Sequence, residues 1–297
     1  MSDSSWLWAL FTVIAAASQT VRNAAQRELT AALGTVGATH VRFLFGFPFA
    51  LVFLAVVLVA SGAPLPRPGV VFWAWVLDGA LTQIAATALM LAAMNDRSFV
   101  VVYAYIKTEP VQVALFGLIA LGDAVTPGMA AAILIATTGV VIMALKPGTS
   151  MDLKATLLGL AAGGMFAISA IGFRGAILSL DLPSYLMAAT FTLAIGLLIQ
   201  SVLLSLYLLV RDPSVLRAIA RAWRPSLLAG FLGAFASQFW FLAFALATAA
   251  SVRTLALVEV LFAQAIARFF FQQATTPREG FGIVLIVIGV ALLIWAH

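Results

Sequence analysis

Long apolar runs succeed one another along this chain, near 6–26, 37–61, 70–94, 98–121, 127–145, 155–178, 184–210, 225–247, 252–271 and 279–296. Breakers or charges end them, as at Gly62-Ala63-Pro64-Leu65-Pro66-Arg67-Pro68, Asn95-Asp96-Arg97, Gly122-Asp123, Lys146-Pro147-Gly148, Asp181-Leu182-Pro183 and Arg211-Asp212-Pro213. A hydrocarbon core of ~30 Å takes ~20 residues of helix to cross. Lipid offers the backbone no hydrogen bonds, so such runs satisfy their own polar groups as helices. The expected fold is therefore an all-α membrane protein of about ten transmembrane helices. At 64% hydrophobic and 9% charged residues, the chain has too little polar surface for a water-soluble domain. The short loops left between the runs hold no soluble catalytic domain. Met1 to Ser5 lack the basic n-region of a signal peptide, so the first run is expected to be retained as a helix. The absence of cysteine removes disulfides and thiolate metal sites.

The chain also repeats itself. A shift of 150 positions lays Glu109 on Glu259, Thr126-Pro127 on Thr276-Pro277 and Gly139-Val140 on Gly289-Val290 without a gap, with Ser98 on Thr248. The implied division is a first five-helix repeat at 1–147 and a second at 148–297. Five is odd, so the second copy enters from the opposite face. Inverted repeats of this kind enclose a central cavity, with a substrate site near the midplane.

At these residues the chain resembles the EamA-type drug/metabolite transporters, and within them the YddG-like amino-acid exporters. The first copy carries Thr108-Glu109-Pro110, Leu121-Gly122-Asp123, Thr126-Pro127 and Thr138-Gly139-Val140-Val141. The second carries Thr248-Ala249-Ala250-Ser251, Val258-Glu259-Val260, Thr275-Thr276-Pro277 and Ile288-Gly289-Val290. It departs from the family pattern at Val260, where proline is expected, and at Gln272-Gln273, where Gly-Glu is expected. The resemblance implies ten helices in two repeats, export of metabolites such as aromatic or neutral amino acids, and termini in the cytoplasm.

Ionisable side chains at membrane depth cost ~2.5–3.5 kcal/mol on insertion scales, and so face a partner or a cavity. Arg22, Arg42, Lys107, Glu109, Arg253, Glu259 and Arg268 are the candidates. In the fourth run Tyr103, Lys107 and Pro110 share one stripe at i, i+4, i+7, and Tyr105, Glu109 and Gln112 a neighbouring one. A helix so polar is expected to turn from lipid. Lys107 or an arginine could take a carboxylate, Glu109 or Glu259 an ammonium or a proton, and Tyr103, Tyr105 and Trp240 an apolar side chain. Pro110 removes an N–H and loosens the helix beside Thr108. The alternatives are a purely structural kink at Pro110 and a packing pair between Glu259 and an arginine. Gln83, Ser169 and Gln238 could line a site or simply bond across helices. Arg22 and Asn23 form a further polar patch, which could equally be interfacial anchoring. His40 has no second ligand at metal spacing, so no metal is expected.

Neither a phosphate-binding Gly-x-x-x-x-Gly-Lys-Ser/Thr nor a His-Glu-x-x-His or Gly-x-Ser-x-Gly is present. The expected function is a secondary transporter, not an enzyme, with no cofactor, sited in a bacterial inner membrane. Its partners are a small-molecule substrate and the bilayer, with no nucleic acid, and the oligomeric state is left open, a monomer being compatible with the sequence. An organic-anion or phosphorylated-metabolite carrier using Arg22 and Lys107 is the alternative, followed by a channel. Loops after the odd-numbered helices hold most of the basic residues, so the positive-inside rule places both termini outside the cytoplasm, against the family pattern.

Overall fold

The computed structural model describes residues 6–96, 102, 105–144, 153–269, 272 and 275–296, with 23–28, 30–32, 94–96, 263, 266 and 267 described by backbone alone. The described residues form α1 (Leu7–Leu44), α2 (Gly46–Ser61), α3 (Val70–Asp96), α4 (Glu109–Leu121), α5 (Pro127–Ala144), α6 (Leu153–Ser179), α7 (Tyr185–Arg211), α8 (Pro213–Arg221), α9 (Trp223–Leu246), α10 (Ala249–Leu255), α11 (Val258–Phe269) and α12 (Pro277–Ala296). Among them, seven helical spans are long and apolar enough to cross a membrane: Leu33–Ser61, Val70–Ala93, Pro127–Ala144, Leu153–Ser179, Tyr185–Arg211, Trp223–Leu246 and Pro277–Ala296. Shorter apolar helices cover Leu7–Arg22 and Glu109–Leu121.

The helix ends follow local chemistry. Gly62 and Gly122 adopt left-handed φ of 61° and 67°, which a glycine does without a Cβ clash. Past Gly62, Pro64, Pro66 and Pro68 prevent the helix from resuming. The two Thr-Pro turns are helix starts. Thr126 Oγ1 accepts from the Met129 N–H at 3.2 Å, and Thr276 Oγ1 from the Glu279 N–H at 3.3 Å. Glu279 Oε2 accepts in return from the Thr276 N–H at 2.8 Å, which completes a capping box. Pro127 and Pro277 supply the preset φ of a first helical residue.

Three features differ from the sequence expectation. The first run and the start of the second are joined as α1, interrupted at Gly34, whose φ of 67° and ψ of 174° leave the helical region, and the rest of the second run is α2. The fourth and ninth runs are each broken, at Lys107–Thr108 and at Ala256–Leu257. A short amphipathic helix, α8, occupies what looked like a loop.

The chain folds into two compact units, each drawing on both halves of the sequence. The first is Met1–Leu81 with Gly172–Leu246, and the second is Thr82–Ile171 with Ala247–His297. This division by packing differs from the division by repeats, because α3 and α6 each contribute residues to both units. In the first unit α9 packs along α1, α2 and α7. The approach is close: a Cβ at Gly230 would lie 2.5 Å from the Phe45 Cβ. In the second unit α5 and α12 pack together, and a Cβ at Gly139 would lie 2.6 Å from the Gly282 carbonyl oxygen. Ala136, Val140, Leu257 and Ile286 form the buried cluster there.

Candidate functional site

Four ionisable side chains meet within the second unit, on the two broken segments. Lys107 pairs with Glu259, and Arg253 Nε lies 3.0 Å from Glu109 Oε1. The pairs run crosswise, each linking the fourth apolar segment to the ninth. Side-chain exposure is 11% and 5% for Lys107 and Glu259, and 16% and 8% for Arg253 and Glu109. Little water reaches them, so the charges are held by one another. Two cations and two anions leave the group formally neutral.

The breaks place these charges. Pro110 has no N–H, and its ring crowds the carbonyl four residues back, at Ile106. The backbone there tightens to three-residue bonds, Thr108 N–H to Tyr105 O at 3.2 Å and Val111 N–H to Thr108 O at 3.1 Å. Thr108 Oγ1 also donates to the Tyr105 carbonyl at 2.7 Å. The ninth segment makes the same turn with Val260 in place of a proline. Its bonds run from Leu257 N–H to Thr254 O at 3.1 Å, Glu259 N–H to Ala256 O at 3.0 Å and Val260 N–H to Leu257 O at 3.0 Å. Proline is therefore not what the two breaks have in common. In both, a glutamate lies in the first turn of the helix that resumes, α4 or α11. The positive end of a helix favours a carboxylate by ~0.3–1 kcal/mol, and by up to ~2 when partly buried.

Glycines of α6 make room for the first break. A Cβ would lie 2.8 Å from the Tyr105 Cβ at Gly159, 3.2 Å from the Ile106 carbonyl oxygen at Gly163, and 2.8 Å from Gln112 Oε1 at Gly164. Gln112 Nε2 reaches Thr108 Oγ1 and the Leu160 carbonyl, both at 3.4 Å. Of the stripe Tyr103, Lys107 and Pro110 expected from spacing, the last two stand on either side of the turn at Thr108. Tyr103 lies outside the described residues.

The other sequence candidates divide between the units. Gln83 is half-buried and Ser169 buried in the second, where the Gln83 carbonyl accepts the Thr87 hydroxyl at 2.9 Å. Gln238 and Trp240 belong to the first. There Gln238 Nε2 donates to Thr190 Oγ1 at 2.8 Å, and Trp240 Nε1 to Gln19 Oε1 at 3.3 Å. Arg22 also belongs to the first and is buried. Its Cδ and the Cγ of Arg42 both lie against the space that a Cβ on Gly233 would need, at 3.8 and 3.0 Å. The side chain of Asn23 lies outside the described residues. His40 is buried, with Nε2 3.0 Å from Ser205 Oγ.

Two charges of the first unit stand outside the site candidates read from the sequence. Asp78 interrupts the apolar run of α3, and a Cβ on Gly172 would lie 2.6 Å from its Oδ2. Arg174 Nη1 donates to the Phe244 carbonyl at 2.5 Å. A lone charge inside an apolar run was the available signal for each.

No protein-family profile and no curated protein matches this chain. Its fold is similar to that of a protein solved as a crystal structure, with a TM-score of 0.74 and 15% identity, covering 97% of this chain and 96% of that one. At such an identity the likeness is one of fold. Seven apolar helices of membrane-spanning length, in a chain whose described elements are all helical, make this an α-helical, multi-pass membrane protein.

Proposed function

We propose that this chain is a secondary transporter that moves small amphipathic metabolites, such as aromatic or neutral amino acids, across a bacterial inner membrane by alternating access. The observation that carries this reading is the crossed set of Lys107–Glu259 and Arg253–Glu109 at two helix breaks. Interrupted helices in transporters bring charge and helix ends to membrane depth, where a substrate can meet them. An ammonium and a carboxylate arriving together can exchange partners with two crossed pairs and leave the region neutral. A lone charge would leave another unpaired, at several kcal/mol.

Two inverted five-helix repeats fit the same reading. α2 and α7 end at Ser61 and Arg211, α3 and α9 at Asp96 and Leu246, and α5 and α12 begin at Pro127 and Pro277. Each difference, 211 − 61, 246 − 96 and 277 − 127, equals the 150-residue register found in the sequence. Export is what the family resemblance adds, since gradients set a carrier's net direction.

Counter-flow in proteoliposomes tests the proposal. Labelled neutral and aromatic amino acids are expected to exchange against unlabelled internal substrate, and Glu109→Gln to lower the rate at least tenfold. Exchange of an organic anion but no amino acid would replace this reading with the anion carrier. Flux that internal substrate does not accelerate would replace it with a channel.

A further inference from the structure

The helix α8 has no place in the transport chemistry, yet it is built with care. Asp212 caps it, accepting from the Ser214 N–H at 3.1 Å and from Ser214 Oγ at 2.5 Å, and Pro213 opens its first turn. The Ser214 hydroxyl bond above all, with backbone bonds and the nearby Arg217, holds the Asp212 carboxyl below its ordinary range. One side of the helix is spent inside the first unit. Ile219 is buried, with Val215, Leu216, Ala218 and Ala222 packed against Leu33, Val41 and other core residues. The apolar face therefore has no membrane to enter.

The opposite side is cationic. Arg217 and Arg221 are exposed, and so are Arg211 at the end of α7 and Arg224 at the start of α9. Arg217 and Arg221 stand four residues apart on one helix, a spacing at which like charges repel by roughly 0.2–0.5 kcal/mol. Asp212 is the single carboxylate in this stretch, and its charge serves the cap and Arg217. Aromatic side chains of the sort that settle at the membrane–water boundary flank the cluster: Tyr207 is 54% exposed and Trp223 49% exposed. The Arg224 guanidinium lies over the Trp223 ring, 5.4 Å from its centroid. The arginines thus stand between the end of one apolar span, Tyr185–Arg211, and the start of the next, Trp223–Leu246.

We infer that α8 and its flanks form a docking surface for anionic phospholipid headgroups, with Arg211, Arg217, Arg221 and Arg224 as phosphate ligands. Guanidinium groups suit this role because they meet phosphate oxygens through two parallel N–H donors. A basic segment at a membrane surface gains attraction with each added arginine. The lipid phosphate also removes the repulsion between Arg217 and Arg221. This surface is independent of the transport site, and its test reads lipid and not substrate.

The full chain, purified in neutral detergent, is titrated with phosphatidylglycerol or phosphatidylcholine. Bound lipid is counted by native mass spectrometry, and thermal unfolding is followed in parallel. Phosphatidylglycerol is expected to bind in preference and to raise the melting temperature, with both effects fading as salt rises. Arg217→Gln/Arg221→Gln is expected to weaken that binding about 30-fold, while Arg67→Gln, in the loop after α2, leaves it unchanged. Equal binding of the two lipids by the wild-type chain would overturn the inference without recourse to any variant. A wild-type melting shift reproduced by inorganic phosphate at equal concentration would overturn the lipid as its source. Full retention of phosphatidylglycerol binding in the double variant would overturn the assignment to α8.

Discussion

Charges at membrane depth are tolerated only in company, and Lys107 and Glu259 show what that means for a single residue. With side chains 11% and 5% exposed, neither can rely on water for its solvation. Removing one partner leaves the other charge stranded, at a cost of about 3–5 kcal/mol for a buried pair. Lys107→Gln is therefore expected to lower the unfolding temperature of the detergent-solubilised protein by many degrees. Lys107→Gln/Glu259→Gln should recover most of that loss, since no unpaired charge remains. Differential scanning fluorimetry on the two variants checks this, and a double variant no more stable than the single would show that the pair is not the unit of stabilisation. The residues of this group were legible one by one, as charges inside apolar runs. Their partners were not: Lys107 and Glu259 stand 152 positions apart (259 − 107), a separation on which helical spacing is silent. Gln238 with Thr190, and Trp240 with Gln19, were hidden for the same reason.

At the scale of elements, glycine decides how closely helices approach, and its role depends on what stands opposite. Gly139 of α5 faces the Gly282 carbonyl of α12, and an added Cβ would lie only 2.6 Å from that oxygen. Gly280, one turn into α12, meets nothing within 4 Å. Gly139→Ala is accordingly expected to destabilise the protein by about 1–3 kcal/mol, as overpacking does. Gly280→Ala should instead stabilise it by up to ~1 kcal/mol through helix propensity alone. Thermal unfolding of the two variants gives the comparison, and shifts of the same sign would contradict the packing of α5 on α12. Boundaries of long apolar helices followed from local signals such as Gly62, Pro127 and Thr276, because caps and breakers act within a few residues. The break at Ala256–Leu257 did not, since no proline marks it and its turn is held by backbone bonds and by ion pairs to another segment. α8 escaped as well: nine residues fall short of a span, and its apolar side has meaning only against α1, α7 and α9.

For the whole molecule, the distribution of basic residues makes a prediction about placement in the membrane. Counted by the ten apolar runs of the sequence, Arg211, Arg217, Arg221 and Arg224 follow the seventh run, and Arg27, Arg97, Lys146, Lys154 and Arg278 follow the first, third, fifth and ninth. Loops rich in lysine and arginine stay in the cytoplasm, which puts both termini on the opposite side. A C-terminal reporter is expected to be active in the periplasm only, and activity confined to the cytoplasm would give the topology that the family resemblance implies. The sequence by itself determined that this chain is helical, that it belongs in a bilayer and where most long helices begin and end. Those properties depend on composition, on run length and on caps, all of which act locally. Only the tertiary structure decided which charges pair across the broken segments, which polar candidates fall in which compact unit, and that α8 is a helix held by its apolar side. Those outcomes depend on side chains far apart in the chain meeting in space, and apolar runs of similar length and hydropathy do not say which helix will lie beside which.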